Sequence, residues 1–239
     1  MELTVILPAL NEEKRIGAAL GRLGEYLGAK GWDYEIIVVD DGCTDGTAAV
    51  VSQAAAADPR IRLISNGQNR GKGYSVKRAM LESSKALRLF TDADLPIPIE
   101  EIEKFIPLTE QGFGVLIGSR KVEGHESDTR TSPLRSMFSA VFNVIVQALV
   151  LRGIKDTQCG FKLFTARAAE EIFKRQRLDY FGFDVEILSI ARLHGFKIKE
   201  VGIKLSNPKE SSVNVFISPL KMFAEIIRLR LNLWKGIYR

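Results

Sequence analysis

A chain of 239 residues, 46% hydrophobic and 26% charged, has the composition of an ordinary globular protein and the length to bury one substantial core. Its net charge of +5 is gathered near the C-terminus, where Lys221, Arg228, Arg230, Lys235 and Arg239 face only Glu225, and the nearly neutral remainder argues against a nucleic-acid protein. No run reaches the roughly 18 apolar residues of a bilayer span; the longest candidate, Met137 to Leu151, is interrupted by Ser139, Asn143 and Gln147.

The first half alternates strand and helix. Short runs rich in β-branched residues at Leu3–Leu7, Glu35–Val39, Ile61–Ile64, Leu87–Thr91 and Val115–Gly118 have the look of buried parallel strands. Ile16, Leu20, Leu23 and Leu27 mark the first helix, with Asn11 as its N-cap. Asp45 opens a second, Thr47 to Ala57, which Asp58-Pro59 ends. A third runs from Lys72 to Ser84, and a fourth follows Pro98 with Ile99, Ile102 and Ile106 inward. Right-handed crossovers between such units give a doubly wound, mostly parallel α/β sheet.

The second half reads differently. Gly124 to Thr131 is polar and unpatterned, a loop by its composition. Ser132-Pro133 then opens a long amphipathic helix that stops at Gly153. A strand at Phe161–Thr165, helices at Ala166–Arg175 and Phe183–His194, and an alternating strand at Lys197–Leu205 follow. A polar stretch around Asn207 to Ser212 leads to the last amphipathic helix. The expected division is a catalytic domain over 1–205, its halves meeting near residue 120, and a membrane-surface helix in 206–239.

Two of the strands end in acid. Glu35–Val39 runs into Asp40-Asp41-Gly42, and Leu87–Thr91 runs into Asp92-Ala93-Asp94. Two carboxylates separated by one small residue suit a hard divalent cation, Mg²⁺ or Mn²⁺, which binds one or two carboxylates and completes its shell with water and phosphate oxygens. Open α/β sheets hold their ligands at the carboxyl ends of the strands, so the pattern points to a nucleoside-diphosphate site.

Taken in order, the motifs resemble the family 2 glycosyltransferases of the GT-A fold, and within them the polyprenyl-phosphate (dolichyl-phosphate) sugar synthases. The residues that carry the likeness are Leu7-Pro8-Ala9-Leu10-Asn11-Glu12, Val39 to Thr47, Asn69-Arg70-Gly71-Lys72-Gly73, Asp92-Ala93-Asp94 and Gly118-Ser119-Arg120. Asp156 to Phe164 and Phe183 to Glu186 complete the set and look most like the dolichyl-phosphate glucosyltransferase branch, implying UDP-glucose; GDP-mannose is the alternative donor. The resemblance implies a donor site of Pro8, Leu10, Glu12, Val39, Asp41, Lys72, Asp92, Ala93, Asp94 and Arg120, with Asp41 on the base and Arg120 on phosphate. It places a metal on Asp92 and Asp94, and Gly160 and Lys162 near a polyprenyl-phosphate acceptor. Asp92, Asp94, Arg120, Lys162 and Asp184 are the expected catalytic set.

Several of these residues have plainer readings. Asp45 suits a helix cap better than a ligand. Lys72, in its Gly-flanked turn, could cradle phosphate or point to solvent. Asp184 and Glu186 lie on opposite sides of a helix start, so at most one should face the site, and both would complement the helix dipole. His125 and His194 are isolated and read as surface residues. Pro96 stands where some lipid-phosphate mannosyl synthases carry a ligating Gln, and a proline offers no side-chain oxygen. Ser211-Ser212-Val213-Asn214 departs from the family's small Ser-Lys pattern.

The acceptor decides which residue matters. A phosphate monoester is largely ionised at pH 7, its second pKa being about 6, and needs cations such as Arg120, Lys162, Arg130 or Arg135 more than a base. A hydroxyl acceptor would need a general base, for which Asp184 is the first candidate. A sugar-nucleotide-binding protein without turnover is a further alternative. In the last helix Lys221, Glu225, Arg228, Asn232, Lys235 and Arg239 form a polar stripe opposite Leu220, Phe223, Ile227, Leu231 and Trp234, a pattern fitted to an anionic membrane surface. Packing on its own domain, or on a second subunit in a homodimer, is the alternative. With no basic leader before the first strand and no disulfide framework or metal spacing at Cys43 and Cys159, the expectation is a peripheral protein on the cytoplasmic membrane face.

Overall fold

The computed structural model of the chain describes residues 1–122, 133–205 and 218–239, with side chains at 133–140 and 218–221 outside that description. The loop expected at Gly124–Thr131 and the segment around Ser211–Asn214 fall outside the described residues, as do His125, Arg130 and the side chain of Arg135.

Seven strands form one sheet: β1 (Glu2–Ala9), β2 (Asp33–Asp40), β3 (Ile61–Ser65), β4 (Leu87–Thr91), β5 (Val115–Ser119), β6 (Phe161–Thr165) and β7 (Ile198–Gly202). Their order across the sheet is β3-β2-β1-β4-β6-β5-β7, and only β6 runs against its neighbours. The helices are α1 (Glu13–Ala29), α2 (Thr47–Ala57), α3 (Lys72–Glu82), α4 (Ile106–Glu110), α5 (Pro133–Leu149), α6 (Ala166–Arg175), α7 (Phe183–Leu193) and α8 (Ser218–Trp234).

The chain builds outward from β1 to β3 and then returns to β4 on the other side of β1. Right-handed crossovers therefore put α1 and α2 on one face and α3 on the other. The point where the direction reverses, between β1 and β4, opens a crevice at the carboxyl ends of these strands. Both Pro8–Glu12 and Asp92–Asp94 emerge there. Strand β6 then enters antiparallel, with Phe161 opposite Thr91 and Lys162 opposite Phe90, so the turn that precedes it is laid against the acidic loop after β4.

The core is continuous across the sheet. Leu3, Val5, Ile6 and Leu7 of β1 and Ile36 to Val39 of β2 are fully buried, as periodicity without polar interruption requires of a strand covered on both faces. Ile226, Leu229 and Tyr238 of the C-terminal segment belong to the same core, so α8 is packed on the catalytic body rather than appended to it.

Three local expectations need correction. Asn11 does not cap α1: it adopts a positive φ of 58°, and its Oδ1 accepts from the Thr44 backbone N–H at 2.9 Å. The helix expected after Pro98 is a 3₁₀ turn, Ile99–Lys104, followed by the short α4; Pro107 lacks the N–H that would continue an i→i−4 ladder, and Phe105 is buried between the two pieces. The last strand is shorter than the alternation suggested, ending at Gly202.

Candidate active site

The acidic loop after β4 is the centre of the site. Asp92 and Asp94 are both partly exposed, and each already holds a cation of the chain. The Lys72 ammonium lies 2.5 Å from Asp92 Oδ1, and Arg15 of α1 lies 3.5 Å from Asp94 while also binding Glu12 at 2.6 Å. The loop folds back tightly: Leu95 N–H donates to the Asp92 carbonyl, with Leu95 at a positive φ of 46°. Burial alone would lower the Lys72 pKa; Asp92 and Asp184 outweigh it and hold the ammonium above its ordinary value.

Two glycine-bearing segments press on this loop. A Cβ at Gly160 would overlap the Asp92 carboxylate, so the residue before β6 must be glycine for Asp92 to keep its place. At Gly71, φ is 98° and a side chain would overlap the Asp179 carbonyl. A Cβ at Gly73 would meet Phe183 and the Leu178 carbonyl at 2.7 and 2.8 Å. The Gly71-Lys72-Gly73 turn is thus seated on the 178–183 segment, and Gly73 N–H donates to the Asp179 carbonyl at 2.7 Å. This seating aims Lys72 at Asp92.

Below the loop lies a buried ion pair, Lys162 with Asp184. Lys162 is 0% exposed and also donates to the Cys159 carbonyl at 2.7 Å; Asp184 is 3% exposed. Burial raises the Asp184 pKa, against the pull of Lys162 and Lys72. Phe90 separates the two lysines, its ring centroid 6.0 Å from the Lys72 ammonium and 5.2 Å from that of Lys162. Both side chains are closed off from solvent here, so Lys162, expected near the acceptor, lies beneath the crevice and not on its surface. Glu186 points elsewhere, accepting from the backbone of Arg177 and Leu178 and from the Tyr238 hydroxyl at 2.6 Å. The two helix acids therefore point in different directions, as their spacing requires, Asp184 toward Lys162 beneath the acidic loop and Glu186 toward Tyr238.

Arg120, at the end of β5, makes a two-pronged pair with Asp156 at 2.8 and 2.9 Å. Although burial works the other way, this pairing holds the Asp156 carboxyl below its ordinary range. Cys159, three residues on, is pushed up to about 12 by burial and is no nucleophile at neutral pH.

The acids after β2 are bonded to the chain itself. Asp41 is buried, and its carboxylate accepts from Asn66 Nδ2, Arg70 N–H and Gly71 N–H at 2.8–2.9 Å. These bonds make Asp41 a shaper of the loop carrying Lys72. Asp40 likewise ties Cys43 N–H and the Ser65 hydroxyl. Val39 is wholly buried, so its side chain belongs to the core, whereas Leu10 is exposed and Pro8 and Glu12 are half-buried at the crevice. Burial raises the Glu12 pKa against the pull of Arg15. Asp45 stands one residue before the α2 cap position, Gly46, and accepts from the Thr47 backbone N–H at 3.0 Å. Arg15 and Asn66 are the participants that sequence reading missed. Neither stands in a motif, and only the docking of α1 and β3 beside the crevice shows their part.

A divalent cation fits this donor set. Two partly exposed carboxylates on one tight loop supply the hard oxygens Mg²⁺ or Mn²⁺ takes, and the two cations now bound there mark the same preference for positive charge. Among the described residues no group of three or more His, Cys, Asp or Glu side chains could hold a metal. With Pro96 contributing nothing, the shell would need water and ligand oxygens beside Asp92 and Asp94.

A crevice at the switch point of a mostly parallel sheet, floored by carboxylates and rimmed by cations, defines a nucleotide-sugar transferase of the GT-A type. The solved structures similar to this chain agree on that fold. One is glucosyl-3-phosphoglycerate synthase from Mycobacterium tuberculosis, in complex with Mn²⁺, UDP-glucose and phosphoglyceric acid. It matches with a TM-score of 0.70 at 19% identity over 96% of this chain and 79% of that one. Mannosyl-3-phosphoglycerate synthase from Rubrobacter xylanophilus matches at 0.69 and 18% identity, over 99% and 75%. The family model described as glycosyl transferase family 2 matches residues 4–173, and the chain belongs to that family. Among its relatives is a dolichyl-phosphate beta-glucosyltransferase from Dictyostelium discoideum, 35% identical over 99% of this chain and 76% of that protein. Proteins of the same name from Homo sapiens and Saccharomyces cerevisiae are each 32% identical, over 78% and 76% of their lengths.

Proposed function

We propose that this protein transfers glucose from UDP-glucose to the phosphate of a polyprenyl phosphate, with inversion, at the surface of a membrane. The observation that carries the reading is the pair of carboxylates Asp92 and Asp94, held between Lys72 and Arg15 at the switch-point crevice of a family 2 fold. The name shared by its relatives supports glucose and a polyprenyl phosphate.

The transfer is a single displacement. An acceptor phosphate oxygen forms a bond to the anomeric carbon as the bond from that carbon to the diphosphate oxygen breaks, and UDP departs with the electron pair. Because a phosphate monoester is already largely ionised at pH 7, no proton has to be removed from it. The burial of Asp184 and its pairing with Lys162 support this reading over a hydroxyl acceptor, for which Asp184 was the available base. A divalent metal held by Asp92 and Asp94 would supply Lewis-acid stabilisation of the leaving diphosphate. The chain's own part is charge and placement. Lys72 and Arg15 keep the two carboxylates apart from their own repulsion and stand ready to meet a diphosphate. Arg120, fixed by Asp156, keeps N–H groups free for a phosphate oxygen.

The helices support the membrane half. No helix of the described residues is long and apolar enough to span a bilayer, yet α5 exposes Val141 and Val144, and α8 exposes Phe223, Ile227, Leu231 and Trp234. The last four recur at helical spacing on the side of α8 opposite Ile226 and Leu229, so one helix carries an inward and an outward apolar face. Arg228 and Lys235 border the outward face on one side and Arg230 on the other, the layout of a helix lying in the plane of an interface.

The test is a donor screen with polyprenyl phosphate in detergent or vesicles, using UDP-glucose and GDP-mannose, with and without EDTA. Glucosyl transfer from UDP-glucose that EDTA abolishes and Mn²⁺ or Mg²⁺ restores is expected, and Asp94→Asn should remove it. Full transfer in EDTA, or transfer from GDP-mannose alone, would overturn the corresponding part of the reading.

A further inference from the structure

We propose that the cleft between α5, α7 and α8 is a binding site for the phosphate headgroup of an anionic bilayer phospholipid. The inference rests on the membrane half of the proposed function and names where the lipid surface is read. The cleft is an open pocket of about 300 Å³ in which Arg152, Arg192 and Arg230, from three separate parts of the chain, come together. Among the described residues, no carboxylate pairs with any of the three; of the two acids on neighbouring α6, Glu170 is taken by Arg88 and Glu171 by Arg175 and His194. Three guanidinium groups sharing a pocket without a counter-charge repel one another, and an anion that accepts from several at once relieves that repulsion. Planar guanidinium forks match phosphate oxygens best.

The pocket is built rather than incidental. Gln147 uses both ends of its amide on the turn after α5, donating to the Ile154 carbonyl and accepting from Gly153 N–H at 2.8 Å. Gly153 takes a positive φ of 86° there. Arg192 then donates to the Arg152 carbonyl at 2.7 Å. The loop that carries Arg152 is thus tied at both ends, which fixes the backbone from which its side chain reaches the pocket.

What lies beside the arginines separates a lipid from a free phosphate. Leu149 lines the pocket and is exposed, and Arg230 sits one helical turn from both Ile227 and Trp234. Trp234 is 80% exposed, a costly position in water and the usual one for an indole at headgroup depth. A soluble phosphate would gain nothing from this rim. A phospholipid would place its phosphate in the cleft and its acyl chains against the outward face of α8.

The experiment is co-sedimentation of the full chain with phosphatidylcholine vesicles containing phosphatidylglycerol, and with phosphatidylcholine alone, read alongside tryptophan emission. The triple variant Arg152→Gln/Arg192→Gln/Arg230→Gln should bind the anionic vesicles about 100-fold more weakly, three basic contacts of the usual strength. A charge-matched control on α1 and at the β3 edge, Lys14→Gln/Arg22→Gln/Arg60→Gln, should bind like the wild type. Arg152→Gln/Arg230→Gln, which keeps the Arg192 tie, guards against a folding defect, and it should lose binding with an unchanged melting temperature. Equal losses in the pocket and control triples would overturn the pocket while leaving the membrane reading in place. Competition by millimolar glycerol phosphate would assign the pocket to a soluble phosphate instead. A wild-type chain that ignores anionic vesicles at low salt would overturn both.

Discussion

Lys162 and Asp184 sit where water does not reach, and that placement changes what their substitution should do. Removing one member of a buried pair leaves the other uncompensated, a loss of about 3–5 kcal/mol, whereas replacing both with apolar residues of similar size is often close to neutral. Lys162→Met should therefore lower the midpoint of urea unfolding sharply, and Lys162→Met/Asp184→Leu should recover much of it. A Lys162→Met protein with unchanged stability but lost transfer would instead point to a direct part for Lys162 in handling the acceptor. At Gly160 the constraint is steric. Gly160→Ala pushes on the Asp92 carboxylate, so kcat should fall by about 10²-fold, the scale of a misplacement near 1 Å, with a melting temperature close to wild type. The Arg120–Asp156 pair carries a pH signature. Asp156 is depressed in the folded state, so the stability it contributes is present above its unfolded pKa, near 3.9, and is lost as pH falls through the lower folded value. Acid titration of Asp156→Asn should lack that component of the wild-type transition.

At the scale of elements, α8 shows how far periodicity reaches. Its apolar surface is too broad for a helix that serves one partner, and the breadth divides into two faces. Ile226 and Leu229 pack inward, while Glu225 accepts from Gly182 N–H at 2.8 Å and Asn232 donates to the Tyr238 hydroxyl at 3.0 Å. Part of the expected polar stripe therefore ties the helix to the body instead of facing lipid. His194, read as an isolated surface residue, meets the Tyr238 carbonyl through Nε2 at 2.7 Å and fastens the same end. Two substitutions two residues apart should separate the faces. Leu229→Ala should cost about 2–5 kcal/mol by opening a cavity; Leu231→Ala should leave stability within about 0.5 kcal/mol and weaken adsorption to vesicles. Deleting α8 should destabilise the whole domain, since it would strip cover from the core that holds Glu186 and the 178–183 segment.

For the whole molecule, the switch-point crevice joins elements that the chain order keeps apart. Asp92 follows β4, Lys72 opens α3, Arg15 belongs to α1 and Gly160 precedes β6. A ligand that bridges them should stabilise the fold as a unit. At a hundred times its dissociation constant UDP-glucose with Mn²⁺ should add about 2.7 kcal/mol, seen as a rise in melting temperature. UDP-glucose with EDTA should give a much smaller rise, and Asp92→Asn/Asp94→Asn should remove the difference. An equal rise with and without metal would separate donor binding from the carboxylate pair.

The sequence by itself determined the alternation of β-branched strands and amphipathic helices, the mostly parallel sheet, and the acid at the ends of β2 and β4. It also marked Gly71, Gly73 and Gly160, because local propensity, period and motif are properties of neighbouring residues. Tertiary structure alone decided which of those acids face the crevice. Asp40 and Asp41 leave the same sheet edge as Asp92 and Asp94, yet the first pair is consumed by backbone N–H groups of the 43 and 66–71 loops while the second stays open. The antiparallel entry of β6 is equally invisible along the chain, and it is what buries Lys162 against Asp184 and sets Gly160 on Asp92. Burial depends on what packs from elsewhere. A carboxylate or an ammonium is written the same way in a sequence, and whether it binds a ligand or holds a loop depends on the surface that arrives to cover it.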